Sequence, residues 1–279
     1  MREISIQLIL QEVEKLCVKA NTELRGDVLS LLKEAKRAEK KRFSAKALSA
    51  ILDNAEIALK EKLAICQDTG MPVVFVEMGN NVHIKVNITK IINEAVKKGY
   101  ASNYLRASIQ KDPVFRNEKL AYSPAIIHVD IVSGSKLKIT VLPKGFGSEN
   151  KSKVKMLNPT STLDEIENFI VESVKKAGAG ACPPYFIGVG IGGTQDYAGL
   201  LAKQALLMPF DKLNKDKKLA LMQKRLIKKI NALDIGPFGF GGKSTALGVN
   251  IKTYPTHIAG MPVAVNISCH ALRSASITI

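Results

Sequence analysis

LAICQDTGMPVVFVEMG, residues 63–79, is where the chain changes its period. Before it, apolar residues recur every three or four positions in SIQLILQEVEKLCVKA (5–20), DVLSLLKEAKRAEK (27–40) and SAKALSAILDNAEIALKEKLA (44–64), the spacing of one helix face. After Gly70, the run PVVFVEMG (72–79) is short, apolar and rich in valine, which predicts a strand. The same signature returns at 125–132 (AIIHVDIV), 136–143 (KLKITVLP), 184–190 (PYFIGVG), 246–255 (ALGVNIKTYP) and 262–268 (PVAVNIS). Ser133-Gly134-Ser135 predicts a hairpin between the strands on either side of it. Further helices are expected over 88–100, 162–176, 195–207 and 212–233, and Asp27 and Ser44 read as N-caps. The fold class is therefore α+β, a mixed sheet with a helical amino-terminal lobe. One domain is expected over 1–279, mainly helical in 1–65 and mixed in 66–279, with no repeat at a solenoid period and no low-complexity linker.

With 279 residues, 46% of them hydrophobic and 24% charged, the chain belongs to the globular class and is long enough to bury a substantial core. No apolar run is long enough to span a bilayer, and the opening MREISIQLILQEVEKLC lacks the features of a secretory leader, so a cytoplasmic protein is expected. The net charge of +16 would attract phosphate. Yet the excess lies in runs such as 36–42 and 212–229, where acids or helically spaced apolar residues are interleaved, the pattern of a solvated helix face. With no Trp and only 5% aromatic residues, a stacking platform for single strands is poorly supplied. Nucleic acid is not the expected partner, and the same field would draw in a small dianion.

Two glycine motifs invite nucleotide readings that their contexts reject. GVGIGG (188–193) matches G-x-G-x-x-G between a predicted strand and a predicted helix, but no second strand ending in an acid follows at the required distance. Its glycines fit an anion at a helix N-terminus, or a chain passing close to a buried group. GPFGFGGKST (236–245) resembles a phosphate loop, except that proline stands at 237 and a helix precedes it, so it reads as a loop lining a small acidic ligand.

Four cysteines occur, and in a cytosolic chain they are buried hydrophobes, reactive thiols or metal ligands rather than disulfides. Cys17 falls on the apolar face of a helix and reads as core. Cys66, Cys182 and Cys269 each stand at the end of an element, where loops converge. No C-x-x-C pair announces zinc. Three separated single cysteines suit a cubane iron-sulfur cluster with one iron left open as a Lewis acid. Spacing alone fits three unrelated buried thiols equally well.

Three blocks carry a resemblance: ICQDTGMPVVFVEMG (65–79), GACPPYFIGVGIGGTQDYAGLLAKQAL (180–206) and GPFGFGGKSTALGVNIKTYPTHIAGMPVAVNISCHALR (236–273). Together they resemble the amino-terminal, cluster-binding half of the class I fumarases and the alpha subunits of two-subunit fumarate hydratase and L-tartrate dehydratase. The resemblance runs from about Ser44 onward. It implies a hydro-lyase with a 4Fe-4S cluster on Cys66, Cys182 and Cys269, interconverting fumarate and S-malate. It also implies that Asp68 moves the proton, and that Gln67, Arg106, Gly147 and His257 contact the dicarboxylate. His83 and His128 are left as structural.

Fused members of that family continue into a carboxy-terminal half, whereas this sequence stops at Ile279. The resemblance therefore implies a beta subunit, in an assembly of two alpha and two beta chains. L-tartrate dehydratase is the alternative within the family. An iron-sulfur regulator that binds nucleic acid is the alternative from another class, to be distinguished by duplex binding that falls steeply with salt.

Overall fold

The computed structural model describes residues 2–279. In chain order the elements are β1 (Arg2–Glu3), α1 (Ile6–Thr22), α2 (Gly26–Ala38), α3 (Arg42–Glu61), β2 (Met71–Gly79), β3 (Val82–His83), α4 (Ile88–Ser102), β4 (Ile126–Val132) and β5 (Leu137–Lys144). They continue with α5 (Phe146–Glu149), β6 (Lys153–Leu157), α6 (Leu163–Ala177), β7 (Tyr185–Gly193), α7 (Gln195–Ala205), α8 (Lys217–Asn231), β8 (Ala246–Thr256), β9 (Met261–Ser268) and β10 (Ala275–Thr278). Helices and mixed sheets both occur, compatible with the expected α+β class. Among the described residues, no helix is long and apolar enough to cross a membrane. Asp27 and Ser44 lie inside the first turns of α2 and α3 rather than at their caps. Each side chain has a longer-range use, Asp27 accepting from the Phe210 N–H at 2.9 Å and Ser44 donating to the Gly241 carbonyl at 2.7 Å.

The residues gather into two compact units, Met1–Arg25 with Ala55–Phe146 and Arg273–Ile279, and Gly26–Asn54 with Gly147–Leu272. The first is built on a sheet of order β10-β5-β2-β4, with β2 parallel to β4 and antiparallel to β5. The hairpin expected across Ser133-Gly134-Ser135 does not form, because β2 inserts between its two strands. Val73, Val74, Phe75 and Val76 are all buried, and a strand apolar on both faces is most stable in the middle of a sheet. The Ser-Gly-Ser segment instead crosses the end of β2 at Gly79, where an added Cβ would lie 2.4 Å from the Gly134 carbonyl oxygen. Over the sheet, α1 packs Ile9, Val13, Leu16, Cys17 and Ala20 with Ile92, Val96 and Tyr100 of α4, against Val74, Val76, Ile139 and Val141.

The second unit repeats this strand plan with different residues. Its sheet has the order β6-β9-β7-β8, with β7 parallel to β8 and antiparallel to β9, so an earlier strand again separates two later consecutive ones. A full capping box, Thr162 with Glu165, starts α6. Glu167 of α6 is buried between Arg225 and Lys229 of α8, at 2.7 and 2.9 Å. Burial alone would raise its carboxyl, but the hydrogen bonds from Arg225 and Lys229 outweigh that and hold it below the ordinary range.

GVGIGG turns out to lie within β7, not between strand and helix. A Cβ at Gly188 would stand 2.0 Å from the Ala202 carbonyl oxygen, and one at Gly190 would stand 2.1 Å from that of Ala198. The glycines therefore let the backbone of α7 lie directly on the strand, the close approach anticipated for them. Gly190→Ala is expected to destabilise the protein by about 3 kcal/mol, the upper part of the overpacking range, because the obstructing atoms are backbone. Gly199→Ala, where nothing lies within 4 Å, is expected to be neutral or stabilising by up to about 1 kcal/mol. Denaturant midpoints of the two variants check the contrast.

Candidate active site

In the first unit, residues 66–70 form the turn that feeds β2. Asp68 closes it, one carboxylate oxygen accepting from the Gly70 N–H at 3.0 Å and the other from the Phe146 N–H at 2.7 Å. The carboxylate plane is thus fixed by two backbone donors from separate loops. Gly70 has φ +76°, and a Cβ there would meet the Pro143 carbonyl carbon at 2.7 Å, so both conformation and space require glycine. Cys66 and Asp68 are half-buried, and Gln67 is exposed.

Behind the turn stands a polar framework. The buried Thr69 hydroxyl accepts from the Arg106 N–H at 3.1 Å and reaches the Arg106 carbonyl at 3.3 Å, which places Arg106 beside the turn and leaves its side chain exposed. The Thr69 carbonyl accepts from the Tyr100 hydroxyl at 3.0 Å, and that hydroxyl accepts from Asn21 at 3.4 Å. Burial, reinforced by Cys17, pushes the Tyr100 phenol well above its ordinary range, so it remains a neutral donor. The buried guanidinium of Arg273 donates to the Asp68 carbonyl. Neither Tyr100 nor Arg273 was singled out by the sequence. Both lie in amphipathic or terminal segments whose local pattern gives no sign of a partner 31 or 205 residues away.

The second unit holds the other two thiols together. Cys182 is exposed, with φ +55°, in the turn before β7. Cys269 follows Ser268 at the end of β9, and the register Phe186↔Ser268 sets that end beside the start of β7. The His270 N–H donates to the Cys182 carbonyl at 3.2 Å. Tyr185 is fully buried, its hydroxyl donating to the Gly178 carbonyl at 2.6 Å, and burial above all pushes its phenol up to about 12. Both units therefore carry a cysteine in the turn entering the central strand.

The remaining expected site residues are placed unevenly. Gly147 follows Phe146 directly and is exposed, and a Cβ on it would meet nothing within 4 Å, so packing gives no reason for glycine there. His257 begins the turn between β8 and β9, its Nδ1 accepting from the Ala259 N–H at 3.2 Å. That turn adjoins the Gly193 end of β7, whereas Cys182 precedes the Tyr185 end. Strand rise separates those ends by roughly 25 Å, and the structure does not bring His257 to the thiols of its own unit. The loop at 236–245 does not await an acidic ligand, because the N–H groups of Gly242 and Lys243 already donate to Asp234 at 2.6 Å and Glu39 at 2.8 Å.

None of the four cysteines forms a disulfide. Cys17 is fully buried in the apolar cluster of α1 and α4, where burial, helped by Glu14, pushes its thiol up to about 12, the setting of a core residue. Among the described residues, no group of three or more His, Cys, Asp or Glu is gathered as for a metal ion. The donor chemistry nevertheless fits an iron-sulfur centre. Cys66, Cys182 and Cys269 are the thiols that are not fully buried, and each sits at the mouth of a strand.

Residues 10–278 match the family described as Fumarate hydratase (Fumerase). The chain is 40% identical over 258 residues to a Methanocaldococcus jannaschii protein named "Putative L(+)-tartrate dehydratase subunit alpha", covering 90% of each. It is 27% identical over 281 residues to the L(+)-tartrate dehydratase subunit alpha of Escherichia coli strain UTI89, covering 100% of this chain and 93% of that protein. The corresponding protein of E. coli K12 is 26% identical over the same length.

Proposed function

The chain belongs to the fumarate hydratase (Fumerase) family of hydro-lyases, and from that premise we propose that it is the alpha subunit of a two-subunit enzyme interconverting fumarate and S-malate. The observation that carries this reading is Asp68, two residues after Cys66, with both carboxylate oxygens held by backbone N–H groups. Cys66, Cys182 and Cys269 would hold a 4Fe-4S cluster. When bound, it supplies a Lewis-acidic iron at the corner that no cysteine occupies.

The work of the chain's own residues follows from their placement. Each Asp68 oxygen keeps a second lone pair beyond the one engaged by an N–H, and through it carries the proton lost or gained as water adds across the double bond. The exposed guanidinium of Arg106 grips one substrate carboxylate with two parallel hydrogen bonds. Because Thr69 joins Arg106 to the Asp68 turn, the grip and the proton carrier stay in register. Gln67 offers an exposed amide to the same ligand, and the open space at Gly147 admits a substrate oxygen to the backbone. His257, a substrate contact by resemblance, takes no part in these steps.

The alpha-subunit names of the relatives support a beta partner for this chain; the assembly we propose, of two alpha and two beta chains, rests on the family resemblance alone. Those names also favour a second reading, the dehydration of L-tartrate to oxaloacetate. Steady-state kinetics of the anaerobically reconstituted pair on S-malate and on L-tartrate decide between them. The expected kcat/KM favours malate by about 10-fold or more, and a tartrate preference of that size reverses the assignment.

A further inference from the structure

We propose that β4 is the surface through which two copies of this chain associate, strand against antiparallel strand about a two-fold axis at Val129. This stands apart from the cluster chemistry. In its sheet, β4 is an outer strand with β2 on one side. Of its seven residues five are aliphatic, and four of those are exposed, Ile126 by 44%, Val129 by 41%, Ile131 by 63% and Val132 by 39%. Open edges are normally guarded by lysine, proline or a bulge. β6, an outer strand of the other sheet, carries Lys153 and Lys155, and β8 carries Lys252 and Pro255. β4 has none of these, although the chain has 41 Lys and Arg.

The sequence IIHVDIV complements itself. With Val129 opposite its own copy, His128 faces Asp130, Ile127 faces Ile131 and Ile126 faces Val132, each pair occurring twice. Strand alternation puts 127, 129 and 131 on one face and 126, 128, 130 and 132 on the other, so every pair shares a face. Moving the axis to residue 130 sets Asp130 against Asp130, like charges directly opposite, and moving it to residue 128 sets each Asp130 against Ile126, where it meets no donor side chain. One register therefore gives each Asp130 carboxylate an imidazole donor opposite it. The His128 ring is held in place by stacking on Phe75, with centroids 5.2 Å apart. Association joins the two sheets into one of eight strands and covers the exposed aliphatic row. The strip itself bears neither Lys nor Arg, so the contact avoids the strongly positive remainder of the surface.

Sedimentation of the full chain, alone and with its companion subunit, tests this. The wild-type chain alone is expected at twice 30.3 kDa. His128→Asp sets Asp against Asp and should weaken self-association at least 10-fold, and adding Asp130→His should restore it, since the exchanged pair is again complementary. Val129→Cys should give a 129–129 disulfide dimer on mild oxidation, identified by peptide mass, which keeps the proposal testable if the His128 variants fold poorly. A wild-type chain that is monomeric both alone and in the complex overturns the proposal. So does a dimer that ignores His128→Asp and yields no 129–129 link. Loss of companion binding with the dimer intact also overturns it and assigns the edge to that subunit.

Discussion

Asp68→Asn is expected to lower turnover of the alpha–beta complex by about 10²- to 10⁴-fold, the range for removing a positioned acid–base group, while iron content stays at the wild-type level. Asparagine keeps the shape of the side chain and one carbonyl oxygen, which still accepts from the Gly70 N–H. The amide nitrogen cannot accept from the Phe146 N–H, so one of the two bonds that fix the group is lost. The turn itself is retained through Gly70, the Thr69–Arg106 pair and the Arg273 bond to the Asp68 carbonyl. Cys66 should therefore stay in place, and a fall in rate without loss of iron isolates the proton-carrying role. Anaerobic kcat measured beside iron per chain gives the answer, and unchanged turnover removes Asp68 from the chemistry.

The second large effect belongs to the thiols. Replacing Cys66, Cys182 or Cys269 by Ser is expected to abolish both activity and the broad visible absorbance of anaerobically prepared enzyme, because a cluster with one vacant corner has no ligand to spare. Cys17→Ala should keep the colour and the activity, and lose only about 1–2 kcal/mol of stability through the small buried volume removed. The two outcomes divide the cysteines according to their burial, which is complete for Cys17 and partial or absent for the others. Air bleaching of the wild-type absorbance, followed in the same cuvette, checks that the colour is that of an exposed iron site. A colourless, iron-free complex with full activity refutes the assignment.

Most elements could be located from the sequence, because strand and helix periods are local properties. The run at 72–79 became β2, and the stretch at 162–176 became α6 with its cap one residue away. Pairing was not legible. β4 and β5 have the spacing of a hairpin, and only the burial of β2 on both faces, a property of the whole sheet, explains why it separates them. The N–H groups of the 236–245 loop gave no sign that Glu39, about 200 residues earlier, would occupy them. At the candidate site, Cys66, Asp68 and Arg106 were visible as residue types and gained roles through resemblance. The framework of Tyr100, Thr69 and Arg273 was invisible, since it is made of long-range contacts between residues unremarkable in their own segments.

Arg273 and β10 also constrain the order in which the molecule can be finished on the ribosome. The sheet that carries the Asp68 turn receives its fourth strand, β10, from residues translated about 200 positions after β2. At typical elongation speeds of 5–20 residues per second that interval is roughly 10–40 s. Through it the flank of β5 is bare and the Asp68 carbonyl waits for its guanidinium. The nascent chain thus holds an incomplete sheet while residues Gly147–Leu272 of the second unit emerge, and the turn meant to present the acid is among the last parts to lock.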